Sequence, residues 1–249
     1  MIDIHSHIIH GVDDGPSNIT ESLKMIKEAE RLGISLVVAS PHYQESVFSL
    51  DRVEENFQEL IYKARDYDVK INLWYEVFAN PNSHALMKNR KKLSLNKTKN
   101  ILFEFPFNAQ PQKCVEMVLN FRMQKITPVI AHIERNRAFI NKIEYFVAFI
   151  KAGCLIQADA ASIAGVYGSR IKEFSKKLVQ MKFVDMVASN AHSASDYANW
   201  YSEAYKNVTN WVGKEDAGSL FHTNAKNVLE VINNEDPVHR NVLRWEKMV

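Results

Sequence analysis

The sequence has little cysteine and lacks several motifs of common catalytic families. Its 249 residues include only Cys114 and Cys154, and neither has a second cysteine nearby. A disulfide framework, a paired zinc site and a redox pair are therefore excluded, and we expect both cysteines to be small buried apolar residues. There is also no Gly-x-Ser-x-Gly elbow and no Walker loop, which excludes serine hydrolases and nucleoside triphosphatases of those types.

The sequence also lacks a strong charge of either sign and any long apolar run. Its 31 Lys and Arg residues against 29 Asp and Glu residues give a formal net charge of +2. This balance gives no reason to expect a nucleic-acid partner or an acidic membrane surface. No apolar run approaches the roughly 20 residues of a membrane-spanning helix, and Met1 leads into a strand pattern rather than a signal peptide. We therefore expect a soluble cytoplasmic protein without membrane insertion.

What the sequence does contain is a series of seven short apolar stretches. They cover residues 2–7, 36–42, 71–76, 101–104, 128–132, 155–159 and 186–192. Such runs indicate strands buried on both faces, and helical patterns lie between most of them. Helices are predicted at 17–32, 51–67, 111–125, 139–152, 170–182, 197–212 and 218–232, with Asp51 as the cap of the second. The pattern predicts one domain over residues 1–249, an α/β fold of the (β/α)7 barrel type, with an open doubly wound sheet as the alternative.

Each apolar stretch ends in a histidine, a carboxylate or an amide. Because the carboxyl ends of parallel barrel strands meet on one face, these side chains should be neighbours in space. His5 and His7 give the sharpest signal, since residues two apart on a strand point to the same side. The other candidates are Asp14, His42, Glu76, Glu104, His132, Asn190 and His192. Nitrogen and oxygen ligands at one mouth predict a metal site.

Taken one at a time, these residues have ordinary alternative explanations. A histidine pair on an exposed strand can arise by chance, and the segment around Asp14 has the composition of a turn. Glu104 is a stronger case, because a carboxylate in an apolar run is rarely buried unless it is paired or bound to a cation. Arg135 closely follows His132, where its guanidinium could bind phosphate or simply lie in an exposed loop. The aligned set of strand ends favours the metal site.

Four segments together resemble a known family. Met1–Ile8, Val12–Gly15, Ile130–Arg135 and Ser189–His192 are similar to the bacterial manganese-dependent protein-tyrosine phosphatases of the polymerase and histidinol phosphatase (PHP) superfamily. The similarity covers nearly the whole chain. It implies a distorted (β/α)7 barrel that holds two or three divalent cations, with Mn expected and Fe, Zn or Mg as alternatives. It also implies that the substrate is the tyrosine-phosphorylated tail of a bacterial kinase that controls capsule or exopolysaccharide assembly.

The resemblance assigns roles to the candidate residues. The family's metal ligands match His5, His7, Asp14, His42, Glu76, Glu104, His132 and His192, and its phosphate-binding arginine matches Arg135. His42 is also a candidate general acid because of its position. The family has Asp where this chain has Asn190, and usually a second arginine where an ungapped count reaches Tyr197. An amide oxygen can bind a cation but brings no negative charge, so the resemblance predicts a weakened enzyme.

Two other chemistries bear on this hypothesis. A cysteine-based phosphatase needs an arginine at a fixed short spacing after its cysteine, but Asn120 and Ala160 occupy those positions, so that mechanism is excluded. The remaining alternatives are a PHP phosphoesterase acting on a small molecule or on nucleic acid, and a non-catalytic module that binds phosphotyrosine. The sequence leaves these alternatives open.

Overall fold

A computed structural model of the chain describes residues 1–43, 49–79, 86–95 and 98–230. The last residues of the predicted helix at 218–232 and of the predicted domain at 1–249 lie outside these ranges. The described residues form parallel strands that alternate with helices, so the predicted α/β fold is confirmed.

The strands form two parallel sheets. In chain order they are β1 (Ile2–Ser6), β2 (Leu36–Ala39), β3 (His42–Tyr43), β4 (Lys70–Leu73), β5 (Glu76–Phe78), β6 (Asn100–Glu104), β7 (Thr127–Ala131), β8 (Leu155–Asp159) and β9 (Met186–Ala188). One sheet has the order β1-β2-β4 and the other has the order β3-β5-β6-β7-β8-β9. Every predicted apolar stretch contains a strand. The second and third stretches each contain two strands. The strand conformation is interrupted near Pro41 in one and at Trp74–Tyr75 in the other, before each stretch joins the second sheet.

Hydrogen bonds continue the strand pairing across the break between β2–β4 and β3–β5, and others join β1 to the segment after β9. Between the second and third stretches, Trp74 donates its amide to the Ala39 carbonyl at 2.8 Å, and Glu76 donates to Pro41 at 3.0 Å. At the other edge, Asn190 donates its amide to the His5 carbonyl and His7 donates to Ala191, both at 2.9 Å. These last two bonds place β1 beside the segment that follows β9.

Helices cover the outside of the strands. They are α1 (Ile19–Arg31), α2 (Leu50–Lys63), α3 (Leu86–Leu93), α4 (Pro111–Met123), α5 (Ile143–Lys151), α6 (Ala160–Ala164), α7 (Ser169–Gln180), α8 (Ala194–Asp196), α9 (Ser202–Val212), α10 (Lys214–Gly218) and α11 (Asn224–Glu230). Among the described residues, no helix combines the length and apolar character needed to cross a membrane. Short α3, α6, α8 and α10 were not predicted, and π-helical turns at Tyr197–Tyr201 and Ser219–Thr223 lie within two predicted helices.

The predicted cap of the second helix is wrong. The Ser49 hydroxyl, rather than the Asp51 carboxylate, accepts a hydrogen bond from the backbone amide of Arg52 at 3.3 Å. Serine is among the preferred caps because its hydroxyl satisfies an amide that the first turn leaves unpaired.

Cys114 and Cys154 are buried and free, as predicted, and burial raises the pKa of the Cys114 thiol to about 12.

A buried carboxylate holds the first and last strands together. Asp3 on β1 is fully buried and accepts hydrogen bonds from the Ser189 amide at 2.9 Å, the Ser189 hydroxyl at 2.5 Å and the Tyr197 hydroxyl at 2.6 Å. Burial raises the pKa of Asp3, whereas these donors oppose that shift by stabilising its charged form. The network fixes the segment just before Asn190 and His192 against β1.

We expect Tyr197→Phe to lower the free energy of unfolding by about 1–3 kcal/mol, the usual cost of removing a hydrogen-bond partner from a buried polar group. Tyr201→Phe is the matched control, because its buried hydroxyl makes a longer bond of 3.3 Å to the neutral Ile2 carbonyl. We expect the control to lose about 0.5–1.5 kcal/mol. Urea denaturation of both variants measures the difference, and equal stability losses would contradict the special role of Asp3.

Candidate metal centre

Seven of the predicted ligands converge in three overlapping donor groups. The groups are His7, Asp14, His42 and His192; His5, His7 and Glu76; and His42, Glu76 and Glu104. Within each group the ligand atoms lie within 4.8 Å of one another. Because His7, His42 and Glu76 each belong to two groups, the three groups form one continuous cluster.

Glu76 lies at the centre of this cluster. Its side chain is only 1 % exposed, and its Oε1 lies 2.9 Å from His132 Nε2. Its Oε2 lies 3.0 Å from His42 Nδ1 and 3.4 Å from the Nε2 atoms of both His5 and His7. Burial alone would raise the pKa of Glu76, but the surrounding imidazoles, His5 first among them, hold it well below its usual range. The carboxylate is therefore charged although it is buried.

Polar side chains on the far side of the His5 and His7 rings from Glu76 orient both rings. Their Nε2 atoms lie 3.2 Å apart and both face Glu76. The Nδ1 atom of His5 lies 2.9 Å from Gln157 Oε1, and that of His7 lies 2.7 Å from Asp13 Oδ2. Metal-binding histidines typically donate their second nitrogen to an oxygen in this way, which turns the other nitrogen towards the cation. No sequence pattern assigns these roles to Asp13 and Gln157, because their partners come near only in the folded chain.

Asp14 projects over the histidines from the loop after β1. Its Oδ1 lies 3.2 Å from His192 Nε2 and 3.4 Å from His42 Nε2. Hydrogen bonding to His192 and then to His42 lowers the pKa of Asp14. The loop passes so close to His7 that a Cβ on Gly15 would overlap the His7 carbonyl oxygen, so this position requires glycine.

His132 and Glu104 close the other side of the cluster. His132 Nε2 lies 3.9 Å from Glu104 Oε1, in addition to its shorter contact with Glu76. The His132 backbone is left-handed, with φ of 33°, and Asn190 has φ of 49°. Such values are uncommon for residues other than glycine and often mark functional sites. His132 contacts Glu76 and Glu104, which are members of the donor groups, but it is not itself a member of any of the three.

Arg135 lies beside the cluster in the 3-10 turn Ile133–Arg135. Its Nη1 donates to Asp159 Oδ2 at 3.0 Å, and the same oxygen lies 3.5 Å from Asn190 Nδ2. Burial would lower the pKa of Arg135, but Asp159 and other nearby groups raise it, so the guanidinium stays charged. Asp159 is fully buried at the end of β8 and was not among the predicted site residues.

Three local predictions differ from the structure. His42 and Glu76 begin β3 and β5 instead of ending strands, because the chain changes sheet just before each of them. Asn190 and His192 lie beyond the end of β9, so strand alternation does not place them. Tyr197 is fully buried and bonded to Asp3, so the ungapped count does not reach a phosphate-binding position there.

The donor set fits divalent cations. Imidazole nitrogens and carboxylate oxygens point at common positions, and such mixed sets bind Mn, Fe, Zn or Mg. Glu76 Oε2 is buried and forms no hydrogen bond of acceptable geometry with the described residues, despite its close imidazoles. Asn190 Oδ1 is likewise buried without a hydrogen-bond donor in the described part of the chain. Unsatisfied buried oxygens of this kind are costly unless a cation binds them.

Comparison with known proteins gives consistent results. The profile of the family described as "Capsular polysaccharide synthesis, CpsB/CapC" matches residues 1–230. Tyrosine-protein phosphatase CpsB of Streptococcus agalactiae is 32% identical over 239 residues, which cover 92% of this chain and 98% of that protein. Tyrosine-protein phosphatase YwqE of Bacillus subtilis is 32% identical over 197 residues, covering 78% of each chain.

Solved structures agree. In a study of YwqE from Bacillus subtilis and CpsB from Streptococcus pneumoniae, described as unique metal-dependent tyrosine phosphatases, one structure superposes with a TM-score of 0.83 at 31% identity. The match covers 92% of this chain and 94% of that one. Histidinol phosphate phosphatase of Lactococcus lactis has a TM-score of 0.56 at 12% identity, covers 89% of this chain and 93% of its own, and shares only the fold. The chain therefore belongs to the CpsB/CapC family of capsular polysaccharide synthesis.

Proposed function

We propose that this protein is a metal-dependent phosphatase domain that removes phosphate from tyrosine side chains of a protein in capsule or exopolysaccharide synthesis. The observation that carries the proposal is the overlap of three donor groups around the buried Glu76, with the charged Arg135 beside them. The names of the relatives from Streptococcus agalactiae and Bacillus subtilis support tyrosine phosphatase activity. The substrate we propose is the tyrosine-phosphorylated tail of a bacterial kinase.

The chain's own residues define where the cations would bind. Two or three divalent cations would share the cluster, with Glu76 as the common ligand because it faces histidines from several strands. The proposed ligands are His5, His7, Asp14, His42, Glu76, Glu104, His132, Asn190 and His192. We propose Mn, since the site mixes imidazole with hard oxygen donors. When bound, the cations would supply Lewis acidity that polarises the phosphoryl group and lowers the pKa of a water molecule.

Arg135 would neutralise the phosphoryl oxygens as charge develops on them. Its guanidinium donates to Asp159 through Nη1, and it lies in the turn that begins directly after His132. Asp159 is therefore a positioning residue for Arg135. A preoriented guanidinium stabilises the transition state without reorganising during the reaction.

His42 is the proposed general acid for the leaving phenolate. Burial alone would lower its pKa, but the nearby carboxylates of Asp14 and Glu76 raise it to about 11. The ring is therefore protonated when no metal is bound, and its side chain is 28% exposed at the mouth of the site. A nitrogen that binds a cation carries no proton, so His42 would act either as a ligand or as this acid at any one time. A tyrosine phenolate is a fairly good leaving group, so this proton transfer would assist hydrolysis without being essential.

Hydrolysis should require a divalent metal and should not require a thiol. We expect excess EDTA to abolish hydrolysis of a phosphotyrosine peptide and manganese to restore it. Cys114→Ser should retain activity, since that thiol is buried with a raised pKa. Activity that survives EDTA would overturn the mechanism. Faster turnover of histidinol phosphate or of a single-stranded oligonucleotide would instead favour another phosphoesterase activity, and binding of the peptide without turnover would favour a binding module.

Arg135→Ala should lower kcat/KM for a phosphotyrosine peptide about tenfold to a hundredfold. A hydrogen bond to a charged group contributes about 1.5–3 kcal/mol, which corresponds to that range of rates. Arg137→Ala is the matched control, because Arg137 is exposed and only two positions away. Steady-state kinetics and inhibition by inorganic phosphate measure both variants. Equal loss in the two variants, or none in either, would remove Arg135 from the site.

Asn190→Asp should strengthen manganese binding on the order of tenfold, because an anionic oxygen binds a hard dication better than an amide oxygen does. The same change should lower the melting temperature of the metal-free protein, since a second carboxylate would face Asp159 across the present 3.5 Å contact. Calorimetric titration with manganese and thermal unfolding with and without metal measure the two effects, alongside hydrolysis, which we expect to rise.

The double variant Asn190→Asp, Asp159→Asn is the control for this pair. It restores one carboxylate and one amide but also removes the Asp159 charge that holds Arg135, so we expect it to recover part of the metal-free stability that the single variant loses. If the single variant matches wild type in manganese affinity and in melting temperature, position 190 is not a ligand and does not couple to Asp159.

A further inference from the structure

Arg135 lies between two aromatic rings. Its Cζ is 4.5 Å from the centre of the Tyr167 ring and 5.3 Å from that of the Phe107 ring. These residues come from the segments that follow three neighbouring strands: Phe107 follows β6, Arg135 follows β7, and Tyr167 lies in the connection after β8. The same face of the sheet thus supplies a cation and two rings at one place beside the donor groups.

Both rings are exposed although both are large. Phe107 is 56% exposed and Tyr167 is 37% exposed, whereas most aromatic side chains of this protein pack in the core. Within the described part of the chain, neither ring takes part in a stacked or edge-on pair with another aromatic ring. Each ring therefore leaves part of its surface exposed next to Arg135.

The buried carboxylate of Asp159 positions the Tyr167 ring through its hydroxyl. Its hydroxyl lies 3.5 Å from Asp159 Oδ2, the same oxygen that accepts the hydrogen bond from Arg135. Burial of the hydroxyl end, followed by the charge of Asp159, raises the pKa of Tyr167, so the phenol stays neutral. One buried carboxylate thus orients both the guanidinium and the ring that stacks on it.

We propose that Phe107 and Tyr167 form an aromatic rim that binds the phenyl ring of the substrate while Arg135 binds its phosphate. This inference rests on the proposed function. The phenyl ring of phosphotyrosine is attached directly to the ester oxygen, so a phosphate on Arg135 brings that ring within contact distance of both rim residues. Aromatic rings attract one another at such distances. Phosphoserine has no ring to make these contacts, so the rim selects aryl phosphates.

Binding of two phosphonates tests the rim without hydrolysis. Phenylphosphonate and methylphosphonate carry the same anionic group, and calorimetry of the manganese-loaded protein compares them. We expect wild type to prefer phenylphosphonate, and Phe107→Ala and Tyr167→Ala each to reduce that preference about threefold to tenfold, the size of one aromatic contact. Tyr167→Phe should keep the preference, because it retains the ring. In each variant the affinity for methylphosphonate should stay near that of wild type.

Tyr62→Ala is the matched control for the loss of an exposed ring. Tyr62 on α2 is 63% exposed and lies under Arg65 at 4.5 Å, the same distance as between Tyr167 and Arg135. We expect this variant to keep the wild-type preference. Because all three rings are exposed, circular dichroism should show that each variant folds.

The outcomes separate the rim from the enzymatic proposal. Equal affinity of wild type for the two phosphonates overturns the rim, whatever the activity. Equal loss of both affinities in Phe107→Ala and Tyr167→Ala also overturns it, since the rings would then only position Arg135. A clear preference for phenylphosphonate without hydrolysis of any phosphotyrosine peptide supports the rim and contradicts the proposed phosphatase activity. In kinetics, the supporting result is a loss of kcat/KM in both variants for a phosphotyrosine peptide that exceeds the loss for a phosphoserine peptide.

Discussion

The carboxylate of Glu76 is charged inside the protein, and that charge needs compensation. Removing an ion from water costs several kcal/mol even in a relaxed protein, unless nearby groups of opposite charge replace the lost hydration. Four histidines, His5, His7, His42 and His132, approach its two oxygens within 3.4 Å. Divalent cations bound between these imidazoles and Glu76 would supply that compensating charge. Burial of the Glu76 carboxylate would therefore cost least when metal is bound.

A second layer of polar groups keeps this centre in place. Asp13 and Gln157 turn the rings of His7 and His5 towards Glu76, while Asp159 holds Arg135. Asp3 supports the site in a similar way, because its hydrogen bond from Ser189 holds the chain before Asn190 against β1. Supporting contacts of this kind reduce the motion of ligands and so strengthen metal binding and catalysis. The orientation of the site thus depends on buried carboxylates that do not belong to the three donor groups.

The sequence predicted the strands and most residues of the donor groups because both leave a local signal. Buried parallel strands are continuous apolar runs, and a histidine or glutamate at the end of such a run is unusual enough to notice. The sequence did not predict that the strands before His42 and Glu76 would break, since the break depends on how neighbouring strands pair. Asp13 and Asp159 were missed as supporting residues for the same reason: their partners are brought near only by the fold. The left-handed backbone at Asn190 likewise has no signature in the sequence.

Anomalous diffraction from crystals grown with manganese tests the central claim most directly. Data collected on both sides of the manganese absorption edge locate each cation without reference to activity. We expect at least two manganese peaks at the donor groups, with Glu76 coordinating more than one of them and with its Oε2 atom as a ligand. Manganese absent from the crystals, or bound only away from Glu76, would rule out a metal centre organised by Glu76.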